Sequence, residues 1–370
     1  MSSSSDMTSQ QRIAKVRTVV MQAGEDLRAR YPILKHQNFI GASILAFAWS
    51  GMIISALAFY YGYLTAWITI PLIAIFASLT HELEHDLIHY MYFKKMPWAH
   101  HLMLALVWLA RPNTISPWAR RRLHLHHHKY SGTESDLEER DISNGMPWGT
   151  RRILVISDQL MSVYLRPFQM FKMIHLFLEK QPEKERKIAQ ISQLLGFLPL
   201  SIVYYGLCYV FAVFHISNAI VPMFGYEMLW SQGIIEAMPW VNLMAVIWVL
   251  PNFIRSFSLQ FVSSKVLPNF IRSFSLQFVS SNMHYYGDID PRDVIKQTQV
   301  LNPWWMMPFQ LFCFNFGATH AIHHFVVKEP FYIRHMTAKT AHKVMKEVGV
   351  RFNDIGTFRR LNRWDEIKAK

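Results

Sequence analysis

The feature that most restricts this chain is where its basic residues are missing. It carries 38 Lys and Arg, yet none falls between residues 36 and 93, and none between 188 and 254. Both stretches are apolar, and each is long enough for two membrane crossings at about 20 residues apiece. Lys and Arg return at 94–187 and from Arg255 onward. That is the asymmetry that keeps basic loops on the cytoplasmic side of a membrane. The expected fold is therefore an all-α integral membrane protein, multi-pass, with four transmembrane helices in two hairpins and a cytoplasmic helical cap. The spans are placed at about 38–64, 65–80, 191–214 and 239–254, with both termini cytoplasmic and, in a bacterium, the inner membrane as location. Residues 1–35 read as a cytoplasmic segment, disordered to about 11 and then a short basic helix. Residues 36–328 read as the membrane domain and 329–370 as a polar cytoplasmic tail. No signal peptide is visible in the polar first 35 residues.

Composition fits. Charged residues make up 17%, against about 25% in soluble domains, and a mean hydropathy of only +0.11 leaves room for a sizeable aqueous part. The net charge of +13 follows from the loops beside the spans, and without a nucleic-acid motif it does not argue for nucleic acid. The two cysteines, Cys208 and Cys313, sit in apolar stretches. They exclude a disulfide framework, a cysteine zinc site or a cysteine-ligated cluster within the chain.

The chemistry lies in the histidines. His81, His85 and His89 recur every four residues where the first apolar region ends, so on a helix they form one stripe. Two later clusters share the spacing H-x-x-H-H: His124, His127 and His128, then His320, His323 and His324. Neutral imidazole binds Zn, Cu, Fe and Ni, and a metal needs ligands converging from several segments. Three such clusters at the cytoplasmic ends of apolar spans imply a polyhistidine metal centre. His36, His175, His215, His335 and His342, and the pair His100-His101, read as structural. Glu82, Glu84 and Asp86 are natural acceptors for the outer N–H groups of ligand rings, with Glu134 and Asp136 as further candidates.

His81-Glu82-Leu83-Glu84-His85 also spells H-E-x-x-H, the helical motif of zinc metalloproteases. That site needs only one more ligand and leaves both H-x-x-H-H clusters without a role. A ferritin-like di-iron bundle requires two Glu-x-x-His steps, and only Glu82/His85 supplies one. A metal transporter should carry ionisable residues inside its spans, and these spans have almost none.

The order of the boxes across residues 81–324, with the four-span plan, resembles the membrane fatty-acid desaturases and their relatives the alkane hydroxylases. His81/His85 looks like the first box, although His85-Asp86-Leu87-Ile88-His89 also matches the desaturase form H-D-x-x-H. The two H-x-x-H-H clusters resemble the second and third boxes. Asn282-Met283-His284-Tyr285-Tyr286-Gly287 is similar to the extra histidine motif before the third. The resemblance implies nine histidines holding two iron ions, and an O2-dependent oxidoreductase acting on a fatty acid or acyl chain. Desaturation is the leading outcome, with hydroxylation or decarboxylation to a terminal alkene as alternatives in the same superfamily. No flavin, haem or ferredoxin motif is present. Electrons are expected from a separate ferredoxin or cytochrome b5-like donor with its reductase, drawn to the basic cytoplasmic face.

One stretch has no structural rationale. VLPNFIRSFSLQFVSS occurs at 249–264 and again, unchanged, at 266–281, with Lys265 between. Solenoid repeats diverge and are many; two identical copies point to a recent duplication or to an error in the recorded sequence. If both were helical, the extra 17 residues would lengthen the helix by about 25 Å and rotate every downstream residue by about 100°. The second copy, next to His284, is expected to serve the metal site. Deleting residues 251–267 restores a single copy. The shortened protein should be at least as active and better folded, as judged by size-exclusion profile and turnover; loss of metal on deletion would make the duplication functional.

Overall fold

The computed structural model describes residues 7–112, 114–138, 145–152, 167–196, 198–252, 279, 282–290 and 292–366. Apart from residues 249–252 and Val279, the duplicated stretch lies outside them. Among the described residues helices are the regular elements, joined by two isolated bridges, His284 with Thr298 and Val300 with Phe352.

The helix α1, Ser9–Arg30, starts earlier than expected. Thr8 and Gln11 form a capping box: Thr8 Oγ1 accepts from the Gln11 amide at 3.3 Å, and Gln11 Oε1 accepts from the Thr8 amide at 2.8 Å. Its apolar face, Ile13, Val16 and Val20, is buried in one core with residues of the third histidine box and the C-terminal region.

Among the described residues, four helices are long and apolar enough to cross a membrane. The first two are α2, Gln37–Tyr60, and α3, Ala66–Ile88. They approach closely: a side chain at Gly51 would collide with the Phe76 ring. After α4 (Pro97–Ala110), α5 (Pro117–Tyr130) and α6 (Pro167–Glu179), the third apolar segment runs over Glu183–Phe224. It contains α7, Glu183–Leu195, and the apolar α8, Leu200–Ile220. The fourth is Gln232–Asn252, in which α9, Gln232–Met244, leads into a π turn at Ala245–Val249. Tyr204 and Cys208 of α8 pack on Val249, and Tyr204 donates to the Val249 carbonyl at 3.3 Å. Met52, Ile73, Ala77 and Ala110 form a further cluster that Ile247 joins. α3 is thus packed on from both sides.

α3 runs unbroken through the first histidine box, as the pattern implies, but its end does not emerge into water. Every residue from Thr80 to Ile88 is buried. Leu83, Leu87 and Ile88 pack with Met103, Leu104 and Val107 of α4 and with Phe331. Phe331 opens α12, Phe331–Glu347, which comes after α10 (Met307–Phe312) and α11 (Phe316–Phe325). The region read as a polar tail therefore belongs to the core, with Ile333, Ala341, Val344 and Met345 of α12 buried.

Buried charge ties these helices together. Asp86 accepts from the Phe331 amide at 2.9 Å, from the Tyr92 hydroxyl at 2.9 Å and from Arg334 Nη2 at 2.9 Å. An anion at the first amide of α12 also meets the positive end of that helix. Glu82 lies 3.6 Å from the same Arg334 nitrogen. Arg334→Met would leave two carboxylates buried without their cation, a loss of about 3–5 kcal/mol. A clear fall in the thermal midpoint of the detergent-solubilised protein is the expected result.

Candidate metal centre

Three helices and one extended segment deliver the histidines. The last turn of α3 carries His85, and His89 follows as the residue that caps its C-terminal end. α5 begins on Ser116, whose hydroxyl accepts from the Ala119 amide at 3.4 Å, with Pro117 at its first position. It carries His124, His127 and His128. α11 carries His320, His323 and His324. His284 directly follows the helical residues Asn282 and Met283 and is held by the bridge to Thr298 and by Asn362 Nδ2, which donates to the His284 carbonyl at 3.2 Å.

These residues form two groups of four. His85, His89, His124 and His323 each bring one ring nitrogen within 4.8 Å of the others, and so do His127, His284, His320 and His324. Helix geometry allows the division, because at about 100° per residue a residue three apart turns about 60° one way and one four apart about 40° the other. His320 and His324 therefore serve one group and His323 the other. His124 and His127 divide likewise. His128 stands between the groups, its Nε2 3.0 Å from those of His124 and His323 and its ring 5.0 Å from that of His324. Nine of the ten candidate histidines thus converge. The tenth, His81, belongs to neither group and sits edge-on to the Phe316 ring at 5.5 Å.

The outer nitrogens fix the tautomers. His124 Nδ1 donates to Glu138 at 2.6 Å, His127 Nδ1 to Asp136 at 2.8 Å, and His324 Nδ1 to Gln297 at 3.3 Å. With the proton on Nδ1, Nε2 presents its lone pair inward, the arrangement metal-binding histidines adopt. Burial, with neighbouring imidazoles adding to it, holds His124, His128, His284, His320, His323 and His324 well below the usual histidine pKa. His89 is pushed down to about 4, chiefly by burial. The rings are neutral at pH 7, which is the state that binds metal.

Mutual hydrogen bonding accounts for only part of the approach of these rings. The Nε2 of His124 lies 2.9 Å from that of His89 and 3.0 Å from that of His128. The Nε2 of His320 lies 3.2 Å from that of His284 and 3.1 Å from that of His324. One ring nitrogen is either a donor or an acceptor, so pairwise bonds satisfy only part of each group of four, and the converging nitrogens form a donor set that could hold a cation. The donor set is all imidazole with no thiolate, and iron fits it.

The acids of the first box have other work than expected. Glu84 pairs with Arg111 and, at 3.2 Å, with Arg120, while Glu82 and Asp86 face Arg334. Orientation of the rings falls instead to Asp136, a candidate from the sequence, and to Glu138, which sequence reasoning missed. Glu134 is exposed and paired with Lys172. The signal for Glu138 was there: an acidic loop directly after a histidine box is the nearest source of acceptors for its outer N–H groups. The protease reading loses its geometry, since His81 and His85 share no ligand group and Glu82 is buried against Arg334. Glu138→Ala should lower metal affinity about 10–100-fold, measured by competition with a chelator, while an exchange at His175, 73% exposed, leaves it unchanged.

A search of curated proteins finds no match for this chain. The sequence matches the family described as Fatty acid desaturase over residues 61–356. That stretch contains every histidine of both groups and most of the helices around them. The chain belongs to the fatty acid desaturase family.

Proposed function

We propose that this protein is an O2-dependent di-iron oxidoreductase that desaturates a fatty acyl chain. The observation that carries this reading is the pair of all-imidazole groups, buried except for the half-buried His89, with His128 between them, inside a membrane chain of this family. Two irons held there would supply reductive activation of O2 and removal of hydrogen from an unactivated C–H bond. His85, His89, His124 and His323 would hold one, and His127, His284, His320 and His324 the other, with His128 near both.

The protein's own part is to position and to exclude water. Asp136, Glu138 and Gln297 hold three rings in the ligand tautomer. The end of α3 is wholly buried, so a group reaching the centre leaves bulk water behind. α3 is also the direct link between membrane and centre, which suits a substrate carried by the bilayer. Both termini and the centre are assigned to the cytoplasmic side on the positive-inside pattern. Electrons would come from an acidic ferredoxin or cytochrome b5-like donor attracted to that basic face.

The test is product analysis by gas chromatography, headspace included, after supplying fatty acids, O2 and a reduced donor to the purified protein. The expected outcome is an unsaturated acid with about two irons per chain bound through imidazole. A hydroxy acid or a terminal alkene would move the protein to a sister reaction, and a single tightly bound zinc without oxidation would overturn the di-iron reading.

A further inference from the structure

His81 heads the stripe that the family resemblance marks as the first box, yet it stands outside both ligand groups. Its surroundings give a chemical reason. His81 Nδ1 lies 3.1 Å from Arg111 Nη1, and both residues are buried. A guanidinium has only donors, so here the arginine donates and the ring nitrogen accepts. A ring nitrogen that accepts carries no proton, and the proton of the neutral imidazole must then be on Nε2. This is the opposite tautomer to that of His124 and His127, whose Nδ1 protons go to carboxylates.

Arg111 cannot easily turn away. Its guanidinium is ion-paired with Glu84, both side chains being fully buried. Glu84 also holds Arg120, Arg120 holds Glu138 at 3.3 Å, and Glu138 holds His124. One chain of charge-assisted hydrogen bonds thus runs from His81 to His124. At one end a carboxylate puts the proton on Nδ1 and frees Nε2 for metal; at the other an arginine puts the proton on Nε2. The two ends are fitted for different tasks.

The place of His81 matters as well. α3 enters the centre from its apolar half, so His81 stands one turn nearer the membrane than His85. Phe316 touches it on one side, and the Phe316 ring lies 4.3 Å from that of His320.

We propose that His81 is not a metal ligand but a hydrogen-bond donor on the membrane side of the centre, locked in its Nε2–H form by Arg111, for an oxygen atom of the acyl head group or of the oxygen co-substrate. This rests on the metal centre proposed above. Arg111 and Glu84 are then positioning residues, acting through His81.

The test compares His81→Asn, His81→Gln and His89→Ala in the full chain, purified in detergent. Asn keeps an acceptor near the Nδ1 place for Arg111 but has no donor at Nε2; Gln returns an amide N–H close to the Nε2 place. Iron content and Mössbauer spectra are read first. His81→Asn and His81→Gln should keep the wild-type iron content and spectrum, whereas His89→Ala should lose about half its iron. Turnover in His81→Asn should fall at least about tenfold, as on removal of a fixed donor, with partial recovery in His81→Gln. A rise confined to the KM for the fatty acid identifies its head group as acceptor, and a loss confined to kcat/KM for O2 identifies the co-substrate. Loss of iron or an altered spectrum in both His81 variants overturns the proposal and makes His81 a ligand. Unchanged iron with unchanged turnover in His81→Asn overturns the donor role. Wild-type protein that takes up no iron defeats the metal centre and this inference together.

Discussion

Everything around the centre answers to three carboxylates on one stretch of helix. Glu82 and Asp86, four apart, share one face of α3, Glu84 between them points to the other side, and all are buried. Unpaired, each would cost several kcal/mol in an interior of low dielectric. Arginines from three other places meet them: Arg111 after α4, Arg120 on α5 and Arg334 on α12. Those contacts bring α5 and α12 against the helix that carries the first histidine box. The acids therefore act as anchors for the fold, and the clustered imidazole rings occupy positions the anchors determine.

The second constraint is the proton count of an imidazole. A neutral ring has one proton to place, and where it goes decides whether the inward nitrogen binds a cation or donates to an oxygen. Carboxylates at Asp136 and Glu138 keep the proton on Nδ1 of their rings, and an arginine beside His81 keeps it on Nε2. Residues spaced alike along a helix can thus differ in chemistry. The spacing of His81, His85 and His89 is uniform, and only long-range partners distinguish them.

This is also the limit of what the sequence reveals. The apolar runs locate the spanning helices to within several residues, because hydropathy is a local property. The H-x-x-H-H clusters and the motif around His284 are legible for the same reason. Which acid serves which ring is not, since Arg120 meets Glu84 and Arg334 meets Asp86 only through folding. A preference for His81/His85 over His85/His89 cannot be settled by spacing either, as both pairs share it; the structure groups His85 with His89. Thr8 and Gln11 formed a readable capping box in a stretch whose Ser-rich composition suggested disorder as far as residue 11.

The family match ends at residue 356 and begins at 61, yet the centre depends on residues beyond both limits. Arg17 of α1 donates to the Phe325 carbonyl at 3.0 Å, satisfying the end of the helix that carries His320, His323 and His324. Asn362 takes a left-handed backbone conformation, φ 64°, that asparagine tolerates better than most residues. From there its side chain reaches the His284 carbonyl, its own carbonyl accepts from the Tyr286 amide at 2.8 Å, and its Oδ1 accepts from Arg152 at 2.5 Å. His284 lies on no helix, so its ring has no periodic backbone to fix it. The segments that hold it in place must come from elsewhere in the chain: Thr298 bridges it, and residues 357–366 add Asn362 on its carbonyl and Thr357 on Asn282.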